Sequence, residues 1–356
     1  VKEKSMEDVY QSLAAHLDNL PGGFPSTESG VEIRILKRLF NPSEAEIAQT
    51  LNMLPEPVEA IAQRIAMAPE ELANVLKKMA RKGLIVHSGK GGQATYAAAQ
   101  FVVGIWEYHV KSLDKELIKD FNEYVPFLMD VMMQNKTQQL RVIPISKKIA
   151  ADARIMAYED AEKIIRSQSK IVVANCICRT EHAMAGKGCD KPRENCLVFA
   201  SGAYFYEENK LGRSISQDQA VDILKEGIAA GLVLQPGNSQ RPINICMCCG
   251  CCCQILSNVK KQPRPAEAVN SSYYAKVAEE NCTACGTCEE RCPMDAITVD
   301  DVAVVARERC IGCGVCAGSC DYEAIALVLK DEDVRWVPPA NTVETYINIA
   351  RERGKL

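Results

Sequence analysis

Residues 282–297 read CTACGTCEERCPMDAI, and residues 310–325 read CIGCGVCAGSCDYEAI. The second stretch repeats the first at an offset of 28 residues, so that Cys282, Cys285, Cys288 and Cys292 correspond to Cys310, Cys313, Cys316 and Cys320. Ala296-Ile297 returns as Ala324-Ile325. In each copy three thiols two residues apart are followed by a fourth after three residues. This spacing wraps three thiolates round one iron–sulfur cubane, while the fourth reaches across to the other cluster. Cys282, Cys285, Cys288 and Cys320 are therefore expected to hold one [4Fe–4S] cluster. Cys310, Cys313, Cys316 and Cys292 are expected to hold a second. Pairs of thiols at this spacing also bind zinc, but two superimposable frames of four favour clusters.

The repeat resembles the two-cluster bacterial ferredoxin family over roughly residues 273–331. The resemblance implies a ferredoxin-like dicluster fold and a role in carrying electrons. Pro293 follows Cys292 as in the family pattern, whereas Asp321 stands where a second proline is often found.

The 356 residues leave room for more than this domain. Basic and acidic residues nearly balance, 42 against 46, so the composition carries no polyanion-binding signature. Eighteen cysteines in a chain of this length, clustered at ligand spacing, point to a reducing interior and not to a disulfide scaffold. The opening VKEKSMEDVY is charged, unlike a signal peptide. No run of about 18 apolar residues occurs, so no membrane span is expected. A cytoplasmic protein of anaerobic metabolism is the expectation.

From the start of the chain, residues 1–29 read as a helix and a linker, PGGFPSTESG. In residues 30–100, Ile47, Ala48 and Leu51 line one short helix, and Val58, Ile61, Ala62 and Ile65 line another. A third opens with Pro69, carries Glu70 and Glu71 in its first turn and stops at Gly83. Leu84-Ile85-Val86 then leads through Gly89-Lys90-Gly91-Gly92 to a returning strand near Tyr96. Helices followed by a Gly-tipped hairpin resemble a winged-helix module. Such folds present the start of the recognition helix to base edges. Glu70 and Glu71 would meet phosphates there, so DNA binding is not expected and protein docking is. Residues 101–170 read as a helical connector, with Pro126 marking a break.

Residues 171–262 form a cysteine-rich segment expected to be an α/β domain. The strand Ile171–Ala174 runs into Cys176 and Cys178, with Cys189 and Cys196 following. A second strand, Ile243–Ile245, feeds Cys246-Met247-Cys248-Cys249-Gly250-Cys251-Cys252-Cys253. Each strand delivers a C-x-C at its end, so the two are expected to meet. Strand alternation would set Cys246 and Cys248 on one face, and Cys249, Cys251 and Cys253 on the other. The CCG triplet resembles the cysteine-rich domains of heterodisulfide-reductase-type proteins, although the further cysteine pair those need coincides here with Cys282 and Cys285. Cys178, Cys189, Cys196, Cys246, Cys248 and Cys249 are the candidates for a further [4Fe–4S] cluster or a zinc site. Cys252 reads as a small buried hydrophobe and His182 as a loop histidine with a ligand role as the alternative. Arg179 and Lys187 read as solvated loop charges, with stabilising an anionic cluster or binding a substrate as the alternative. Residues 332–356 read as a turn and a tail helix.

The expected fold class is thus a multidomain α+β chain: a winged-helix module, a cysteine-rich middle domain and a C-terminal dicluster domain. The expected function is an electron-transfer subunit serving a redox partner or a larger oxidoreductase complex. A cluster-bearing regulator and a reductive enzyme acting on thiols or disulfides are the alternatives.

Overall fold

A computed structural model describes residues 6–89, 94–145 and 156–356. It is a mixed structure of helices and small sheets with two compact units. The first comprises Val1–Lys136, Tyr204–Leu211 and Tyr346–Leu356. The second comprises Thr137–Ala203 and Gly212–Thr345, and it holds every cysteine of the chain.

The first unit opens with α1 (Met6–Asn19), α2 (Val31–Leu39) and α3 (Pro42–Ala48). A capping box starts α3: Asn41 Oδ1 accepts from the Glu44 amide at 2.8 Å, and Glu44 Oε2 accepts from the Asn41 amide at 3.0 Å. Then come β1 (Glu56–Pro57), α4 (Val58–Ile65), α5 (Pro69–Lys82) and the antiparallel strands β2 (Ile85–Ser88) and β3 (Thr95–Ala98). The three strands form one sheet in the order β1-β3-β2. Gly83 ends α5 in the left-handed region, φ 81°, where a Cβ would stand 2.7 Å from that of Tyr108. Lys90, Gly91 and Gly92 of the expected wing lie outside the described residues.

A single turn, α6 (Trp106–Tyr108), leads to α7 (Lys115–Met133). Pro126 does not break α7 as its residue type suggests. The face formed by Phe121, Tyr124, Val125, Leu128 and Met129 is buried on both sides of it, and that burial holds the helix through the lost hydrogen bond. Trp106 stacks on Phe121 at 3.6 Å between ring centroids, and Phe24, Phe101 and Tyr124 complete the aromatic core.

The second unit begins its regular structure with α8 (Ala161–Arg166), β4 (Ile171–Asn175), α9 (Ile177–Met184) and β5 (Glu194–Phe199). After α10 (Ala200–Glu208) follow β6 (Gly212–Ile215), α11 (Gln217–Ala229), β7 (Val233–Pro236), β8 (Asn244–Cys248) and α12 (Gln254–Lys261). The five strands are ordered β6-β4-β5-β8-β7 and every pairing is antiparallel, so this is not the parallel sheet of an α/β domain. The two strands that lead into the C-x-C pairs, β4 and β8, do not pair with each other. Between β4 and β8 lies β5, antiparallel to both, so β4 and β8 run in the same direction. Their C-terminal ends therefore emerge at one edge of the sheet, flanking the start of β5 with Cys196.

The repeat builds β9 (Tyr273–Val277), α13 (Thr287–Arg291), β10 (Ile297–Val299), β11 (Ala303–Val305), α14 (Val315–Gly318) and β12 (Ile325–Leu329). Strand β9 pairs with β12, and β10 with β11. A last helix, α15 (Thr342–Glu352), ends the described chain. The backbone repeats with the sequence: Ala284 and Gly312, Gly286 and Gly314, and Asp295 and Glu323 all have positive φ, between 48° and 78°. The pairs 284/312 and 286/314 lie between successive thiols of each copy, and 295/323 turns the chain after the last thiol. The two halves differ in what surrounds them. A Cβ on Gly312 would collide with the Tyr273 carbonyl.

Gly312→Ala combines that collision with a left-handed backbone that costs about 1–2 kcal/mol for an L-residue. Its apparent unfolding temperature is expected to fall well below that of the wild type in a thermal melt followed by circular dichroism. Ala284→Gly, at the matching position, relieves strain and is expected not to lower it.

Candidate metal centres

Two cavities lined by cysteines organise the repeat. Cys282, Cys285, Cys288 and Cys320 line the first, together with Tyr322, Ala303 and Val299. Cys292, Cys310, Cys313 and Cys316 line the second, together with Pro293, Met294 and Ile311. Each cavity thus takes three thiols from one copy and the last thiol of the other. Backbone amides point at the sulfurs: Ala303 N–H donates to Cys282 Sγ at 3.4 Å, Ala296 N–H to Cys292 Sγ at 3.3 Å and Ala275 N–H to Cys310 Sγ at 3.4 Å.

The two cavities differ in exposure. Cys285 is exposed, and the amide and hydroxyl of Thr287 hold its thiol below the usual range. Cys310, Cys313 and Cys316 are buried, and burial pushes Cys313 up to about 12 and raises Cys316 as well. Thiolates removed from water in this way stay ionised only beside a cation. Four thiols with amide donors around one cavity fit a [4Fe–4S] cluster at each place.

The middle cysteines fall into two sets. The sulfurs of Cys189, Cys249, Cys251 and Cys252 all lie within 4.8 Å of one another. Cys252 Sγ is 3.6 Å from Cys189 Sγ and 3.8 Å from Cys251 Sγ. A tetrahedral ion with metal–sulfur bonds of about 2.3 Å sets its sulfurs about 3.8 Å apart. The remaining six form a string. Cys176 touches Cys178, which touches Cys253. Cys253 touches Cys248, and Cys248 touches Cys246. Cys246 touches Cys196, as expected from the register Leu197↔Ile245 extended by one residue.

The six residues expected to share one site are therefore divided. Cys189 and Cys249 belong to the tight set, and Cys178, Cys196, Cys246 and Cys248 to the string. Cys251, which alternation sets on the face of Cys249, joins the tight set with Cys252, which is not among the six candidates, because the chain turns after Cys248. The same turn returns Cys253 to Cys248. Cys176 and Cys253 each stand immediately before a helix, α9 and α12.

Arg179 is not solvated: it is 1 % exposed. It donates to the Met247 carbonyl at 3.1 and 3.2 Å, to Asn195 Oδ1 and to Cys249 Sγ at 3.7 Å. Burial alone would lower its pKa, but Cys176, Cys249 and Cys248 outweigh this and the net shift is upward. A buried guanidinium whose bonding partners are an amide, a carbonyl and a thiol calls for anionic charge from the sulfurs. His182 instead faces Cys178 O at 3.0 Å and Glu181 Oε1 at 3.1 Å, and Lys187 is exposed.

The repeat and the middle cysteines belong to one unit and are tied at several points. Gly250 lies so close to Pro293 that a Cβ would stand 3.0 Å from the Pro293 carbonyl oxygen. Arg291 donates to Ala229 O at 2.8 Å, Arg309 to Lys260 O at 3.0 Å, and Lys260 pairs with Asp295 at 2.7 Å.

Residues 281–325 match the 4Fe-4S dicluster domain family. This segment is a 4Fe-4S dicluster domain, and the match covers these residues alone. No curated protein and no solved structure matches the chain. Among the described residues no helix is long and apolar enough to cross a membrane.

Replacing Cys292 by Ser tests the crossed geometry. The anaerobically isolated variant is expected to lose about four irons. The loss should fall on the cavity of Cys310, Cys313 and Cys316, leaving the signal of the cluster beside Cys285 in the electron paramagnetic resonance spectrum.

Proposed function

We propose that the chain is an iron–sulfur electron-transfer protein, with one [4Fe–4S] cluster on Cys282, Cys285, Cys288 and Cys320 and a second on Cys310, Cys313, Cys316 and Cys292. The observation that carries this reading is the sorting of eight thiols, four and four, around two cavities with the last thiol of each copy exchanged. When bound, such clusters supply reversible one-electron transfer. The chain's own part is to hold and tune them. The amides of Ala303, Ala296 and Ala275 donate to sulfurs whose negative charge grows on reduction, which favours the reduced state.

Exposure supports a direction of arrangement, with exchange between the chain and its partner at the Cys285 side and the buried thiols of Cys310, Cys313 and Cys316 as the inner site. The loop from Cys249 to Cys253 lies against Pro293 beside that inner site, through Gly250. The middle cysteines are then the inner end of the path. Their tight set, Cys189, Cys249, Cys251 and Cys252, suits a single tetrahedral ion such as zinc better than a cubane, given the sulfur spacing.

The partner is a redox protein or a larger oxidoreductase complex. The helices and small sheet of residues 30–100 serve as a winged-helix docking module in this reading. The exposed Glu70 and Glu71 at the start of α5 support protein docking over DNA binding, because phosphates repel them.

Spectroelectrochemical titration of the anaerobic full-length protein tests the reading. The two sites of the repeat are expected to take up about two electrons per chain, one each and reversibly, within about −700 to +450 mV. Iron present at both sites with no reversible reduction in that window would overturn it.

A further inference from the structure

The six-thiol string is a second centre in the middle of the chain, separate from the tight set. A single tetrahedral ion uses four sulfurs that all neighbour one another. The string offers six where the ends of β4 and β8 flank the start of β5: Cys196 opposite Cys246 in the register of β5 with β8, Cys248 at the end of β8, Cys176 and Cys253 immediately before α9 and α12, and Cys178 in the first turn of α9. None of them belongs to the tight group of four. Six thiols arranged this way suit several metal vertices, each taking one or two ligands.

The site is also built for negative charge. The amides of Ile255 and Leu256, at the start of α12, donate to Cys253. Asn244 Nδ2 donates to Cys246 Sγ at 3.6 Å. The buried Arg179 guanidinium interacts with Cys176 and Cys248 of the string and with Cys249 of the tight set. These are the donors and the cation that an anionic metal–thiolate cluster requires in a dry site.

We infer that this string holds a polynuclear iron–sulfur cluster, with Cys176 and Cys253 among its ligands, while the tight set holds one separate ion. The alternative for six thiols is a pair of zinc ions. Iron is favoured because the same compact unit contains the iron–sulfur domain at residues 281–325. The inference does not need the electron-transfer reading to hold, since it concerns what the thiols bind.

Iron, zinc and acid-labile sulfide are to be measured per chain on the full-length protein isolated without oxygen. The wild type is expected to carry about 12 irons and about 12 sulfides, about 8 of each in the ferredoxin repeat and about 4 in the string. Cys248→Ser with Cys253→Ser should remove about four of each and leave the reduced-state resonance of the repeat intact. Cys251→Ser with Cys252→Ser should remove one ion and no sulfide. About 8 irons in the wild type, or iron and sulfide unchanged in the Cys248/Cys253 variant, overturns the proposal. So does zinc in the string without added sulfide. If the Cys248/Cys253 variant does not fold, Cys176→Ser at the end of the string takes its place. It must change the resonance or absorption of the middle cluster, and an unchanged spectrum overturns the assignment. Loss of the repeat's own signal in the wild type would count against the electron-transfer reading alone.

Discussion

The structure of the second unit depends on one electrostatic constraint: thiolates taken out of water must be matched by positive charge. Burial raises the Cys313 and Cys316 thiols and strands a guanidinium, Arg179, among sulfurs and neutral acceptors. Each of these groups is costly alone. Metal bound by the sulfurs relieves the thiols, and the net negative charge of a metal–thiolate group in turn suits Arg179. Packing follows the same requirement, since the left-handed turns at 284/312 and 286/314 exist to aim sulfurs at common points.

The second constraint is proximity. In the proposed reading a path for electrons needs successive sites close together, and the absence of a side chain at Gly250 allows that closeness. Gly250 lets the cysteine-rich loop lie on Pro293, the residue after Cys292, whose thiol lines the cavity of Cys310, Cys313 and Cys316. Arg291, Arg309 and Lys260 fasten the same two regions. The segments at 171–262 and 273–331 that read as separate domains are thereby parts of one compact unit, while the chain ends at 346–356 and the short stretch 204–211 go with the other.

The repeat was legible because its chemistry is local. Ligand spacing, glycines at turns and a fixed offset all lie within 44 residues of sequence, from Cys282 to Ile325. The grouping of the middle cysteines was not legible, because it depends on contacts distant in sequence. Cys189 meets Cys252, and Cys196 meets Cys246, only once β5 has inserted between β4 and β8. Alternation describes β8 to Cys248 and rightly sets Cys251 with Cys249, but it fails at the turn after Cys248, which returns Cys253 to Cys248. Pro126 shows the opposite error, a strong local signal overruled by the buried face of α7. Arg179 looked like a loop charge because nothing near it in sequence reports its burial.

The central claim is that two cubanes stand side by side in the repeat, sharing their ligands across the two copies. Cryogenic electron paramagnetic resonance of the dithionite-reduced, anaerobically isolated chain tests it most directly. Two reduced clusters that exchange a ligand between copies are expected to couple, giving a broadened composite spectrum with splittings that neither cluster shows alone. Two independent, unsplit signals, or the signal of a single cluster in protein carrying full iron, would contradict the account.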